Sequence, residues 1–165
     1  MRLIDLHCDT IWACMRKEEH LCSNTCHIDL DKLKTAESMA QFFACFIHMD
    51  NFQGEHRFTK AYDYALEMIA FAKKEFRNVP EHILLARSRY DVEKNDENGQ
   101  ISAFLTIEEG GIVDSDMERL HRLYEEGVRL MTLTWNYENC IGYPNSRDAE
   151  IMNRGLKPFG MDVVE

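Results

Sequence analysis

The sequence predicts an α/β fold built around a parallel β-sheet. Short apolar runs of strand-like composition alternate along the chain with segments of helical periodicity, which is typical of an open doubly wound sheet or of a barrel. The chain has 165 residues, of which 45% are hydrophobic, and residues 1–165 are expected to belong to one domain with a sizeable core. No glycine-rich phosphate loop follows the first predicted strand, so a nucleotide-binding fold is disfavoured.

Four segments are predicted to form the strands. Residues 3–6 open the chain with a strand-like run, and residues 42–47 form a near-continuous apolar run, as expected of a strand buried on both faces. Residues 101–107 and 128–134 are the third and fourth predicted strands. The segment between the first two strands has no clean period, so its structure stays open.

Three helices are predicted between and after these strands. Residues 58–76 carry apolar side chains at three- and four-residue steps, with lysine and glutamate between them. The second helix is expected to start after Ser115, because Ser115 and Glu118 have the spacing of a capping box, and to end at Gly127. A third helix opens at Pro158.

The charge and hydropathy of the chain argue against two classes of partner. The formal net charge of -10 does not suit a nucleic-acid binder, which needs a basic surface for phosphates. No apolar run approaches the roughly 20 residues needed to span a membrane. Polar residues from Asp5 onward interrupt any apolar signal region, so we expect a cytoplasmic protein with no membrane partner.

The six cysteines are expected to be reduced thiols in such a protein. Cys22, Cys26 and His27 superficially have the spacing of a zinc knuckle, but no second pair of ligands follows at a suitable distance. Most of the cysteines are therefore expected to act as small hydrophobic residues.

The end of the first strand carries a His-Cys-Asp triplet. Side chains two residues apart on a strand face the same way, so His7 and Asp9 should project together while Cys8 faces the opposite side. A His-x-Asp pair alone is a weak metal motif, and an aspartate after a strand often caps the next helix instead. Both interpretations of Asp9 stay open on spacing alone.

Polar and aromatic groups also follow the third and fourth predicted strands. Glu108 and Glu109 come directly after the third strand, and Trp135 and Asn136 follow the fourth. Catalytic groups of parallel α/β folds gather at the carboxyl ends of the strands. Together with the first strand these ends supply His, Asp and Glu, a set suited to Zn²⁺ or a similar divalent ion.

Four sequence blocks that span nearly the whole chain resemble the membrane (renal) dipeptidase family of zinc peptidases. They are Asp-Leu-His-Cys-Asp-Thr at 5–10, Phe-Leu-Thr-Ile-Glu-Glu-Gly-Gly at 104–111, Leu-Met-Thr-Leu-Thr-Trp-Asn at 130–136 and Gly-Leu-Lys-Pro-Phe-Gly at 155–160. The resemblance implies a TIM-type (β/α)8 barrel with two zinc ions at its carboxyl-terminal mouth. A complete barrel needs about 250 residues, so this chain corresponds to the amino-terminal half, about the first four βα units.

The resemblance also implies the metal ligands. His7 and Asp9 match the pair that binds one metal, and the carboxylate after the third strand matches the ligand that bridges both metals. An ungapped count back from Gly127 selects Glu108 for that role, whereas matching the Glu-Gly-Gly triplet selects Glu109, the runner-up. The intact family site holds two zinc ions, and at most one is expected in this chain.

The activity implied is hydrolysis of dipeptides by a metal-bridging water. Family members often carry a histidine at Trp135, where it helps to polarise the scissile carbonyl; here the indole N–H of Trp135, or the side chain of Asn136, Tyr137 or Asn139, is a candidate for that step. Two alternatives are a half-barrel that at most binds one metal and turns nothing over, and another amidohydrolase-like metal hydrolase. Open strand edges predict self-association or pairing with a missing carboxyl-terminal half.

Overall fold

A computed structural model describes residues 2–165 as a parallel sheet with helices packed against it. Its strands are β1 (Leu3–Cys8), β2 (Ser38–Phe46), β3 (Ile83–Leu85), β4 (Ile101–Glu108) and β5 (Val128–Thr132). Its α-helices are α1 (Thr10–Lys17), α2 (Leu30–Thr35), α3 (Arg57–Asn78), α4 (Arg89–Glu97), α5 (Met117–Glu125), α6 (Ala149–Met152) and α7 (Pro158–Val164). Two 3-10 turns, Met49–Asn51 and Gly110–Val113, follow β2 and β4.

The strand order is that of a barrel, in which parallel strands lie side by side in the order in which they occur along the chain. β1 pairs with β2, β2 pairs with β4, and β5 pairs with the carboxyl-terminal part of β4, all in parallel. The four strands predicted from the sequence are thus neighbours in chain order, as in the first half of a (β/α)8 barrel. β3 was not predicted; it is only three residues long and pairs with the start of β4, on the side where β5 pairs with its end.

The core confirms the burial pattern expected of the central strands. Phe43 and Ala44 of β2 are both fully buried although they face opposite sides of the sheet. α3, predicted at residues 58–76, covers one face with a stripe of buried side chains at helical spacing, which includes Ala65, Ile69 and Ala72.

The start of α5 differs from the prediction by one residue. The N-cap is Asp116, whose side chain accepts a hydrogen bond from the Glu118 N–H, and not Ser115. Asp114 and Ser115 both have positive φ angles (52° and 60°), so the chain turns before the helix and moves the cap one residue along. The predicted end at Gly127 is confirmed: its φ is +101° and its N–H donates to the Tyr124 carbonyl at 3.0 Å.

The segment whose structure stayed open contains two helices and a long loop. α1 starts directly after β1, and residues 18–29 connect it to α2, where the Asp29 side chain caps the helix by accepting from the Lys32 N–H at 2.9 Å. Within residues 2–165, none of the helices is both long enough and apolar enough to cross a bilayer.

Besides the three-residue β3, two strands of the sheet have a single partner among the described residues. β1 pairs only with β2 and β5 pairs only with β4. Apolar side chains on these two strands are exposed, with Ile4 at 50%, Leu6 at 59% and Leu130 at 39%. These edges are where the other strands of a barrel would continue the sheet.

Candidate metal centre

Three of the predicted ligands lie together at the carboxyl ends of β1 and β4. His7 is the next-to-last residue of β1, Asp9 directly follows that strand, and Glu108 is the last residue of β4. His7 and Asp9 are half-exposed whereas Cys8 between them is buried, so the alternation predicted for this triplet is present.

The distances between these side chains are those of a compact cluster. The His7 Nε2 atom lies 3.3 Å from Glu108 Oε2 and 3.5 Å from Asp9 Oδ1. One ligand atom from each of the three residues lies within 4.8 Å of the others. An imidazole and two carboxylates at such spacing can converge on one divalent cation.

Asp9 has no competing role as a helix cap. It occupies the N-cap position of α1, but its φ and ψ of -92° and 16° differ from the usual extended cap geometry and its side chain accepts no capping hydrogen bond. The carboxylate therefore points to His7 instead of to the helix N-terminus, which is the arrangement a ligand needs.

The electrostatics of the cluster favour a cation between the carboxylates. Burial raises the pKa of the Glu108 carboxyl above its ordinary value, the imidazole of His7 opposes this shift, and the Asp9 carboxylate, which lies within hydrogen-bonding reach, raises that pKa further. Glu108 is also the most enclosed of the three, with a side chain that is 16% exposed. Two close carboxylates with one imidazole beside them thus fit the donor set of a divalent metal ion.

Glu109 lies elsewhere and has a different environment. Its φ is +99°, its side chain is fully buried, and its Oε1 atom accepts from the Gly111 N–H at 2.8 Å and from the Asn139 amide at 2.6 Å. The other carboxylate oxygen accepts from the Trp135 N–H at 3.4 Å. Its carboxylate therefore anchors the loop after β5 and is not part of the cluster around His7.

Trp135 belongs to a group of ring side chains, here called the aromatic wall, at the carboxyl ends of β2 and β5. Its members are Phe46, His48, Trp135 and Tyr137. The ring centroid of Trp135 lies 5.0 Å from that of Phe46, 5.3 Å from that of His48 and 5.9 Å from that of Tyr137. Phe46 is paired in register with Glu108, so this wall stands beside the candidate metal centre. Such a surface can pack against an apolar substrate side chain.

Asn136 follows on the same loop and is exposed. It lines a cleft of about 350 Å³ together with Asp50 and Arg57. Asp50 also accepts a hydrogen bond from the Tyr137 hydroxyl at 2.6 Å. The sequence did not single out Asp50 or the ring of Phe46; their position at and just beyond the end of β2 was the signal available.

A parallel sheet wound as half of a barrel, with His, Asp and Glu together at its strand ends, is characteristic of barrel metallohydrolases. The match with a known family makes this specific. Residues 1–165 match the membrane dipeptidase family (peptidase family M19), and the chain belongs to that family.

Individual proteins to which the chain is similar are dipeptidases or metallopeptidases, and the coverage of each shows how much of the fold this chain forms. The chain is 28% identical over 148 residues to the uncharacterized dipeptidase C965.12 of Schizosaccharomyces pombe, covering 85% of this chain and 35% of the yeast protein. It superposes on the crystal structure of dipeptidase AC, a metallopeptidase of family M19, with a TM-score of 0.84 at 21% identity. It also superposes on a Rhodobacter sphaeroides metallopeptidase bound to a phosphinate mimic of the dipeptide L-Ala-D-Ala, with a TM-score of 0.81 at 20% identity.

The coverage values define the part of the barrel that this chain forms. The two solved structures match 99% and 98% of this chain, but the chain spans only 52% and 54% of theirs. The TIM-type half-barrel predicted from the sequence is therefore confirmed as the fold.

Proposed function

We propose that the chain contributes the first metal-binding half of a zinc-dependent dipeptidase active site. The observation that carries this proposal is the convergence of His7, Asp9 and Glu108 within 4.8 Å of one another. Membership of the membrane dipeptidase family supports a hydrolase, and the dipeptide mimic bound by the Rhodobacter sphaeroides relative supports a dipeptide as substrate.

Each residue of the cluster would have a distinct role. His7 would hold the ion through Nε2, while Asp9 and Glu108 would each offer a carboxylate oxygen. A bound zinc ion supplies a Lewis acid for the scissile carbonyl and lowers the pKa of water. Glu108, which the fold encloses most, is the residue we assign to bridge toward a second ion of the complete site.

The aromatic wall would orient the dipeptide beside this centre. The ring of Trp135 packs against Phe46 and His48, so its face is fixed before substrate binds. Its indole N–H can donate a hydrogen bond to a substrate carbonyl, although it cannot act as a cation. Asn136, exposed on the same loop, adds an amide that can donate or accept.

A complete active site would need the rest of the barrel. The chain spans about half of the length of the two M19-type structures it resembles, and the edges of β1 and β5 are open in residues 2–165. We propose that these edges pair with the missing half of the barrel or with a second copy of the chain. All six cysteines are free thiols, which supports the cytoplasm as the compartment.

Metal binding with and without His7 tests the proposal. The purified chain should bind zinc at the cluster, and His7→Ala should remove one ion per chain without unfolding the protein, because His7 is half-exposed. The matched control is His121→Ala, which removes an exposed histidine from α5 and should retain the full zinc content. Equal zinc content in both variants would reject the cluster as the ligand set.

Dipeptide hydrolysis separates the proposed enzyme from the alternative of an inactive metal-binding half. Activity that appears when the carboxyl-terminal half of a relative is added, and that His7→Ala abolishes, would support the enzyme. Zinc binding with no turnover in that mixture would favour the inactive half-barrel.

A further inference from the structure

A second group of metal-ligating side chains includes a residue of the loop that borders the candidate centre. Cys14 belongs to α1, Glu19 follows the end of that helix, and Cys26 lies further along the loop of residues 18–29. Although 12 positions separate the two cysteines, one ligand atom from each of the three residues lies within 4.8 Å of the others.

The side chains are of the types that zinc prefers. Thiolates and carboxylates bind zinc at about 2.0–2.3 Å, which places ligand atoms of a tetrahedral site roughly 3.5 Å apart. The Cys26 Sγ atom lies 4.0 Å from Glu19 Oε2, so a contraction of about 0.5 Å would bring these two ligands to that spacing. Cys26 is half-buried on a loop, where such an adjustment meets little resistance.

Acidic and basic groups surround the two cysteines of the cluster. The Cys14 side chain is fully buried, and the Glu19 carboxylate accepts hydrogen bonds from the Thr25 N–H at 3.0 Å and from the Thr25 hydroxyl at 2.7 Å. Two lysines lie nearby: the Lys17 ammonium is 3.8 Å from the Cys26 sulfur, and the Lys32 ammonium is 2.7 Å from the Cys26 carbonyl oxygen. These two lysines offset part of the negative charge that two thiolates and one carboxylate would carry in the metal-bound site, and a divalent cation would offset the rest.

We propose that Cys14, Glu19 and Cys26 form a structural binding site for a thiophilic divalent cation of the zinc type, separate from the centre at His7. Each thiol that binds gives up its proton to solvent as the metal–sulfur bond forms, and no oxidation is involved. Three protein ligands leave one tetrahedral position for water. With this site the chain would bind two ions, one more than the single zinc ion that the sequence predicts.

The site would fix one wall of the cleft in front of the candidate metal centre. Cys26 and His27 line a cleft of about 610 Å³ together with His7 and Asp9. An ion that binds both Cys26 and Cys14 of α1 would hold this stretch of the loop against the helix that follows Asp9. The loop would then present a fixed surface to whatever binds at the centre.

Cadmium titration of the reduced chain of residues 1–165 tests the site, because thiolate ligands give an ultraviolet charge-transfer band that carboxylate and imidazole ligands do not. We expect this band in the unaltered protein and in His7→Ala. In Cys26→Ser the cadmium affinity of this site should fall by about 100-fold or more, since even a residue behind a ligand contributes about 10- to 100-fold. Cys22→Ser is the matched control, because Cys22 is an exposed cysteine of the same loop.

Three results of the cadmium titration would overturn the proposal. These are no thiolate band in the folded protein, a band that persists at the same affinity in Cys26→Ser, or a loss of equal size in Cys22→Ser. A Cys14–Cys26 disulfide that forms in the isolated chain, with no cadmium bound after its reduction, would also reject the metal site and identify a redox pair. Circular dichroism of each variant confirms that the comparison is made on folded protein.

Discussion

At the level of single residues, two adjacent glutamates at the end of β4 lie in different environments. Glu108 faces the cluster with His7, whereas Glu109 is buried against the loop after β5. The difference arises at the backbone, because Glu109 adopts a φ of +99° and so turns its side chain away from the strand direction.

Alanine substitution of the two glutamates should therefore change different properties of the protein: stability in one variant and zinc affinity in the other. Glu109→Ala leaves the Gly111 N–H and the Asn139 amide without their buried acceptor, and we expect the free energy of unfolding to fall by about 2–4 kcal/mol. Glu108→Ala should instead lower zinc affinity and leave stability nearly unchanged. Urea denaturation and zinc titration of both variants measure the two effects, with the exposed Glu55→Ala as the control. Equal losses of stability in the two variants would contradict this division.

The sequence predicted the ligand types, and its ungapped register favoured Glu108 over Glu109, but side-chain periodicity alone does not separate these two glutamates. His7 and Asp9 were accessible from strand alternation, since the period of two assigns them to one face. The choice at β4 depends on a left-handed backbone at a non-glycine residue, which side-chain patterns do not reveal. The buried position of the Glu109 carboxylate also requires glycine at position 111, because a Cβ atom at Gly111 would lie 2.5 Å from Glu109 Oε1.

At the level of elements, the cap of α5 offers a direct test of the corrected helix start. Asp116 accepts the Glu118 N–H at 2.9 Å, so Asp116→Ala should lower the free energy of unfolding by about 1 kcal/mol. Ser115→Ala should change it by only a few tenths of that amount, because the Ser115 side chain does not cap the helix. Thermal denaturation of both variants decides between the two caps, and a larger loss in Ser115→Ala would restore the capping box that the sequence predicts.

The boundaries of helices and strands could be predicted where a single residue type determines the local backbone conformation. They were missed where contacts with distant parts of the chain determine them. Gly127 ends α5 because glycine adopts the positive φ at low cost. Gly160, in contrast, is required by a tertiary contact, since a Cβ atom there would overlap the Ile141 carbonyl oxygen. The short strand β3 likewise exists because residues 83–85 reach the start of β4, which no local pattern indicates.

At the level of the whole molecule, the α/β class and the winding of the sheet followed from the alternation of strands and helices. The cluster of Cys14, Glu19 and Cys26 did not, because it depends on how residues 18–29 fold back onto α1. The sequence offered Cys22 with Cys26 as its nearest metal-like spacing, and in the folded chain Cys26 is grouped with a more distant cysteine instead.

The open edge of β1 makes the assembly of the chain testable in solution. Leu6 is 59% exposed on a strand with a single partner, so its apolar side chain and the free backbone groups beside it should favour pairing with another sheet edge. We expect the chain to self-associate, and Leu6→Lys to shift the sedimentation profile toward monomer because a lysine at an edge disfavours strand pairing. Tyr90→Lys is the matched control: Tyr90 is 69% exposed but lies on α4, so this change should leave association unaltered. A well-folded monomer at all concentrations of the unaltered chain would show that the edge of β1 needs no partner, and the half-barrel would then be a stable unit in itself.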